Sequence, residues 1–247
     1  MIDNMFNNIL DEVSAFAQPI INIKSGMPIG LEILLRRKAK NGEGYTSPET
    51  ILEKTTSLED HNAITLRLLE IVSGYRRYVH DQNVHQEPSF ISLNIIAEQL
   101  ACPTLVEKLI QFQQALPEGT DLLIELLEGH GKDLNDGIKS TIVSLSNYGI
   151  KFGIDDFGNN SICLKYLEAL HLNVLKMDIS MACIKGGKLL FEKTIQSLVY
   201  LAKRMNVLLI AEGVETKEQL ILLQACGVQN VQGFYFKKPY PLDVLLT

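Results

Sequence analysis

From Asp121 onward, short apolar runs alternate with stretches of helical periodicity, and this alternation limits the folds available to the chain. DLLIELLE (121–128) reads as strand, 134–148 as helix, KFGIDDF (151–157) as strand and 161–170 as a short helix. VLKMD (174–178) is strand, 188–205 helix, VLLIAEGV (207–214) strand, 216–226 helix, and NVQGFYF (230–236) strand. Strands separated by helical segments form βαβ units and parallel sheets, because the return path must cross a face of the sheet. Upstream, FAQPIINI (16–23) and GLEILLR (30–36) are joined by a turn around Lys24-Ser25-Gly26. That link is too short for a crossover, so this pair is antiparallel. Ser47-Pro48-Glu49 has the chemistry of a helix start, and the helical pattern continues, with a break near Ser57, to about Val79. FISLNII (90–96) is a strand, 97–115 a helix, and 1–12 a lead helix.

Eight strands are consistent with either a doubly wound sheet or a barrel. The count of eight and the polar groups described below favour an α/β fold: a TIM-like (β/α)8 barrel with an antiparallel first strand. No linker, repeat or low-complexity segment divides residues 1–247, which read as one domain. The chain is 46% hydrophobic and 21% charged, enough for a sizeable core. A net charge of −6 disfavours nucleic acid as a partner but permits a small phosphorylated ligand. The N-terminus has no secretory pattern, and no apolar run is long enough to cross a membrane. Four scattered cysteines with no CxxC pair predict a reducing, cytoplasmic setting and no zinc site.

Alternate residues of a barrel strand face the lumen. If the aliphatic residues face the helices, one parity rule turns Glu32, Leu34, Arg36, Asn94, Glu125, Asp155, Lys176, Glu212 and Gln232 inward. Most lie near the C-terminal strand ends, where such barrels build active sites. An antiparallel first strand brings its start to that face, and with it Gln18. Taken singly, each has an ordinary reading: Glu32 could pair with Arg36, and Asp155-Asp156 could open a turn. Together they crowd one mouth with Glu32, Glu125, Asp155, Asp156 and Glu212, which must be compensated if they are removed from water.

This donor set is all oxygen, which suits Mg²⁺ or Mn²⁺. One divalent ion leaves three of the five negative charges uncompensated; two leave one, and Lys176 and Arg36 then make the site attractive to phosphate. Two ions about 3.5–4 Å apart need a shared carboxylate, and Asp155 is placed for it. Lys176 suits a catalytic water or developing negative charge, and Arg36 a fork contact to phosphate or a base edge. The chemistry is metal-assisted phosphoester hydrolysis.

The motifs QPI (18–20), Glu32-Ile33-Leu34 followed by Leu35-Arg36, SLN (92–94), ELLE (125–128), DDFG (155–158), LKMD (175–178), AEGVE (211–215) and QGFYF (232–236) occur in register. Over residues 14–245 the chain resembles the EAL domain, the bacterial phosphodiesterase that linearises cyclic di-GMP. The resemblance implies one metal on Glu32, Asn94, Glu125 and Asp155, and a second on Asp155, Asp156 and Glu212. It implies that Lys176 orients the catalytic water, and that Glu32, Asp155 and Glu212 join it in catalysis. Gln18, Leu34, Arg36 and Gln232 would lie along the dinucleotide, with Glu128 and Glu215 as supporting acids. The expected cofactors are two Mg²⁺ or Mn²⁺ ions, with Ca²⁺ inhibitory.

The chain departs from the family pattern in several places. Ile33 replaces Ala but faces outward. DFGTGYSS becomes DFGNNSIC, with Asn159, Asn160, Ile162 and Cys163 altered, in a loop that relatives use to couple metal binding to homodimer formation. Leu127 and Ile96 replace hydroxyl residues. The leading expectation is therefore a phosphodiesterase giving pGpG. The rival is a catalytically weak member serving as a cyclic di-GMP receptor or as a regulator that binds a protein partner.

Overall fold

The computed structural model of the chain describes residues 10–39, 44–48, 51, 55, 57–81, 88–127, 135–158 and 162–242. Strands β1 (Val13–Asn22) and β2 (Pro28–Lys38) form the opening hairpin. The Asn22 side-chain oxygen accepts from the backbone N–H groups of Lys24 and Ser25, which fixes the turn. A two-residue strand β3 (Tyr45–Thr46) pairs with the end of β2. Then follow α1 (Leu58–Asp81), β4 (Phe90–Ile96), a 3₁₀ turn over 97–101 and α2 (Pro103–Gln114), which opens on its proline. Next come β5 (Asp121–Leu127), α3 (Asp136–Asn147), β6 (Lys151–Phe157), α4 (Ile162–Ala169) and β7 (Val174–Met177). A small hairpin, β8 (Ile184–Lys185) and β9 (Lys188–Leu189), precedes α5 (Glu192–Met205), β10 (Leu208–Ala211), α6 (Lys217–Ala225), β11 (Asn230–Val231) and β12 (Tyr240–Pro241).

The barrel runs β1-β2-β4-β5-β6-β7-β10-β11 and closes back on β1. β1 is antiparallel to both neighbours, β2 and β11, and every other barrel pair is parallel. This is the expected TIM-like barrel with a reversed first strand. Alternation sorts the side chains into two cores. Ile33, Ile91, Leu93, Leu122, Ile124, Phe152, Ile154 and Leu175 face the helical layer. Ile20, Phe90, Leu123, Val174 and Ile210 form a separate apolar floor inside the lumen. Gly30 makes room for this floor: a Cβ there would lie 2.2 Å from the Phe90 ring.

Several boundaries differ from the sequence reading. The eighth strand is two residues long, because from Gln232 the chain bonds to the loop after β10 (Val214 N–H to Gln232 O, 3.0 Å). The strand expected over 207–214 ends at Ala211. The helix expected from 188 starts at Glu192, because Gly186 and Gly187, both at positive φ, turn the β8–β9 hairpin first. The 97–115 helix divides at Cys102, just before Pro103, which disfavours helical backbone in the residue preceding it. Of the lead helix expected over 1–12, Leu10, Asp11 and Glu12 fall within the described residues; the first two are helical and Glu12 is already a turn.

Candidate active site and metal centre

One rung above the apolar floor, two residues along each strand and roughly 6–7 Å higher, the lumen turns polar. Phe90 leads to Ser92 and then Asn94, Leu123 to Glu125, Val174 to Lys176, and Ile210 to Glu212. On reversed β1 the step runs backward, from Ile20 to Gln18, which sits opposite Glu32 in register.

Lys176 occupies the centre, wholly buried. Its Nζ lies 2.6 Å from Glu212 Oε1, 2.9 Å from Glu125 Oε2, 3.2 Å from Glu32 Oε2 and 3.3 Å from Asp155 Oδ1. Glu32 also accepts from Asn94 Nδ2 at 3.0 Å and from Gln232 Nε2 at 2.6 Å. Gln232 Nε2 is shared with Gln18 Oε1 at 3.1 Å, and Gln18 in turn donates to the Lys237 carbonyl.

One ammonium cannot neutralise four carboxylates, Glu32 and Glu125 buried and Asp155 and Glu212 half-buried, and the titration of the group reflects this. Burial raises Glu32, but Lys176 and the Gln232 and Asn94 amides overcome it, leaving this carboxyl below the usual range. Burial lifts Glu125 to about 8: Lys176 opposes the shift, while the charges of Glu32 and Asp155 add to it. Burial, reinforced by Asp155 and Glu32, also pushes Glu212 well up despite its contact with Lys176. Desolvation lowers Lys176, but the four carboxylates hold its ammonium form far above the ordinary lysine range.

β6 departs from simple alternation where it matters. Its register with β7 slips between Ile154 and Phe157, and Asp156 adopts a left-handed φ of 55°. Such backbone costs a non-glycine residue roughly 1–2 kcal/mol. The irregularity brings two consecutive carboxylates to one side, where strict alternation would send Asp156 outward. Asp156 is pushed up to about 6 by partial burial and by the charges of Asp155 and Asp178.

Two carboxylate groups have ligand atoms close enough to share a cation: Glu32, Glu125 and Asp155, and Asp155, Asp156 and Glu212. Asp155 belongs to both. The residues fit hard divalent ions on a second count. Asn94 Oδ1 and Glu125 Oε1 are buried with no hydrogen-bond partner. Unpaired buried oxygens are costly, and both face the same layer.

A cavity of about 300 Å³ opens over this layer, lined by Gln18, Glu32, Leu34, Asp155, Glu212, Glu215 and Gln232. Gly213, Gly233, Ile179 and Phe234 complete its wall. Arg36 lies outside that lining, at the far end of β2: its guanidinium sits 5.9 Å above the Phe16 ring and donates to the Leu35 carbonyl. Glu128, Asn159 and Asn160 fall outside the described residues, so the sequence expectations for them stand apart from the geometry.

The sequence reading missed Asp178, Ile179, Gly213 and Phe234. Carrying the parity rule one step past Lys176 reaches Asp178, which caps the following 3₁₀ turn by accepting from Ser180 N–H. Ile179 and Phe234 gave no comparable signal, since an exposed apolar residue looks the same anywhere.

The geometry can be set beside known proteins. The family model described as "EAL domain" matches residues 4–239. Two Escherichia coli (strain K12) proteins named as probable cyclic di-GMP phosphodiesterases are similar: PdeG at 28% identity over 92% of this chain, and PdeD at 29% over 94%. The matches cover 45% and 42% of those proteins, so the chain spans less than half the length of these relatives. Among solved structures, the PaMucR phosphodiesterase in its c-di-GMP complex superposes with a TM-score of 0.80 at 24% identity, over 98% of each chain. The Klebsiella pneumoniae BlrP1 manganese/cy-diGMP complex gives 0.74 at 22%, over 94% of this chain and 57% of that one. These neighbours share the barrel with its reversed first strand, and with the family model matching nearly the whole sequence, the chain belongs to the EAL-domain family.

Proposed function

We propose that the chain is a metal-dependent phosphodiesterase that opens one phosphodiester of cyclic di-GMP to give linear pGpG. The observation that carries this reading is the pair of carboxylate groups sharing Asp155, joined by the unpartnered oxygens of Asn94 and Glu125, beneath an open cavity. Glu32, Asn94, Glu125 and Asp155 would hold one ion, and Asp155, Asp156 and Glu212 the other. Divalent ions held there would supply acidification of a water and stabilisation of negative charge on the phosphoester oxygens.

The chain's own residues do the rest. Lys176, buried and cationic among four carboxylates, would turn one of its N–H groups to the attacking oxygen once cations draw those carboxylates away. Its charge would balance the step in which the water oxygen bonds to phosphorus and gives its proton to solvent while the P–O bond to the ribose breaks and the departing oxygen takes a proton from solvent. Gln18 and Gln232 are linked to each other and to Glu32, so a ligand contact with either amide is relayed to the metal layer. Leu34 and Phe234 offer apolar walls to a base. Arg36, anchored over Phe16, lies further out and meets the dinucleotide at its periphery.

Purified protein with cyclic di-GMP and Mn²⁺ or Mg²⁺ should release pGpG, and Ca²⁺ should suppress turnover because its longer, looser coordination fits a tight two-ion site poorly. Ligand binding without product would replace this reading with that of a receptor. Loss of both binding and product would leave a protein-binding regulator.

A further inference from the structure

We propose that Gln219 is a positioning residue that ties together the two loops bearing Glu212 and Lys176, and so sets the geometry of the second metal position. The role is additional to the ligand set and rests on the phosphodiesterase reading only for its effect on rate.

Gln219 sits in the first turn of α6, after the capping residue Thr216. Half of its hydrogen bonding is ordinary helix capping. Its Oε1 accepts from the backbone N–H groups of Glu215 at 2.8 Å and Thr216 at 2.9 Å, and Thr216 Oγ1 accepts from Gln219 N–H at 3.2 Å. A capping box uses only the side-chain oxygen, so glutamate would serve equally well.

The amide nitrogen does something capping does not require. Nε2 donates to the Ala182 carbonyl at 3.1 Å and the Gly213 carbonyl at 3.4 Å, using both of its hydrogens. Gly213 directly follows Glu212. Ala182 ends the 3₁₀ turn that leaves β7 just past Lys176 and Asp178. These two segments meet at the cavity wall, where Ile179 packs so tightly on Gly213 that a Cβ there would lie 1.9 Å from Ile179 Cγ1. One amide therefore clamps the backbone behind Glu212 to the backbone behind Lys176, whose side chains are 2.6 Å apart.

Gln219→Glu tests this, because it keeps the capping oxygen and removes the donor. An added carboxylate by itself would strengthen cation binding, so a loss would come from the loops released, and pushed apart, where the new oxygen faces the Ala182 and Gly213 carbonyls. We expect Mn²⁺ affinity, measured by calorimetry without nucleotide, to fall about tenfold, in the range of lost outer-shell partners. With cyclic di-GMP, kcat should fall by a similar factor and KM should change less. Thr216→Ala is the counterpart: it weakens the cap and leaves Nε2 in place, so the melting temperature should drop while Mn²⁺ affinity stays within about twofold of wild type.

Wild-type Mn²⁺ affinity in Gln219→Glu would overturn the proposal. So would an equal loss of affinity in Thr216→Ala, because the effect would then be helix stability alone. If wild type binds Mn²⁺ but releases no pGpG, the phosphodiesterase reading fails while the calorimetric comparison still decides the tether.

Discussion

The lumen of this barrel holds two layers set by one parity rule, two residues apart, with opposite energetics. The floor of Ile20, Phe90, Leu123, Val174 and Ile210 is closed to water and contributes stability. The rim places Glu32, Glu125, Asp155 and Glu212 around one lysine, leaving more buried negative charge than that lysine can balance. One strand step thus separates residues that hold the fold together from residues that strain it, and the strain is what a cation would relieve. Substitutions in the floor should therefore weaken the fold and spare the chemistry, and those in the rim should do the reverse.

The largest expected effect lies in the rim. Lys176→Ala and Glu32→Ala should each reduce pGpG release at least about 10³-fold, above 4 kcal/mol in barrier, in a steady-state assay. A rate near wild type in either would remove that residue from the site. The floor counterpart is Phe90→Ala, which should cost about 3–5 kcal/mol in denaturant unfolding. Its Mn²⁺ affinity should stay close to wild type, and a selective loss of metal binding would show that the layers are not separable.

A third prediction sharpens the contrast through pH. Glu125 titrates near 8 in the fold, against an ordinary value of 4.5. Between those values the folded chain holds a proton that the unfolded chain has lost, so metal-free stability falls as pH rises through that window. Mn²⁺ should reverse the trend, since it competes with the same proton. Glu125→Gln should make the metal-free pH profile less steep, with Glu212 and Asp156 still contributing, and raise the melting temperature at pH 8 while weakening Mn²⁺ binding. A wild-type melting temperature that climbs across this range would contradict the charge assignment.

The smallest effect concerns Asp156. Asp156→Gly relieves the left-handed backbone and should stabilise the metal-free protein by about 1 kcal/mol, at the expense of one bound ion. Unchanged metal stoichiometry would exclude Asp156 as a ligand.

Much of this arrangement is legible in the sequence. Alternation alone turned Glu32, Asn94, Glu125, Lys176, Glu212 and Gln232 inward, and the short turn after Asn22 gave the reversed first strand. Local irregularity escaped the sequence reading. Asp156 reaches the site through a register slip and a left-handed residue, which no period-two rule anticipates. The Gly186-Gly187 hairpin took the first turn of an expected helix, and the eighth strand dissolved into bonds with the loop after β10. Gln219 resembles any capping residue until its second amide hydrogen is followed across to Ala182. Arg36 has the right parity but lies four residues beyond Glu32, roughly 13 Å along the strand, so its distance from the metal layer is set by β2's length.

The most direct test is the number of Mn²⁺ ions the protein retains at equilibrium near pH 8. Two per chain are expected, falling when Asp155, the residue common to both carboxylate groups, is replaced by alanine. Retention of no Mn²⁺, or a count that Asp155→Ala leaves unchanged, would contradict the claim that these acids converge in order to hold cations.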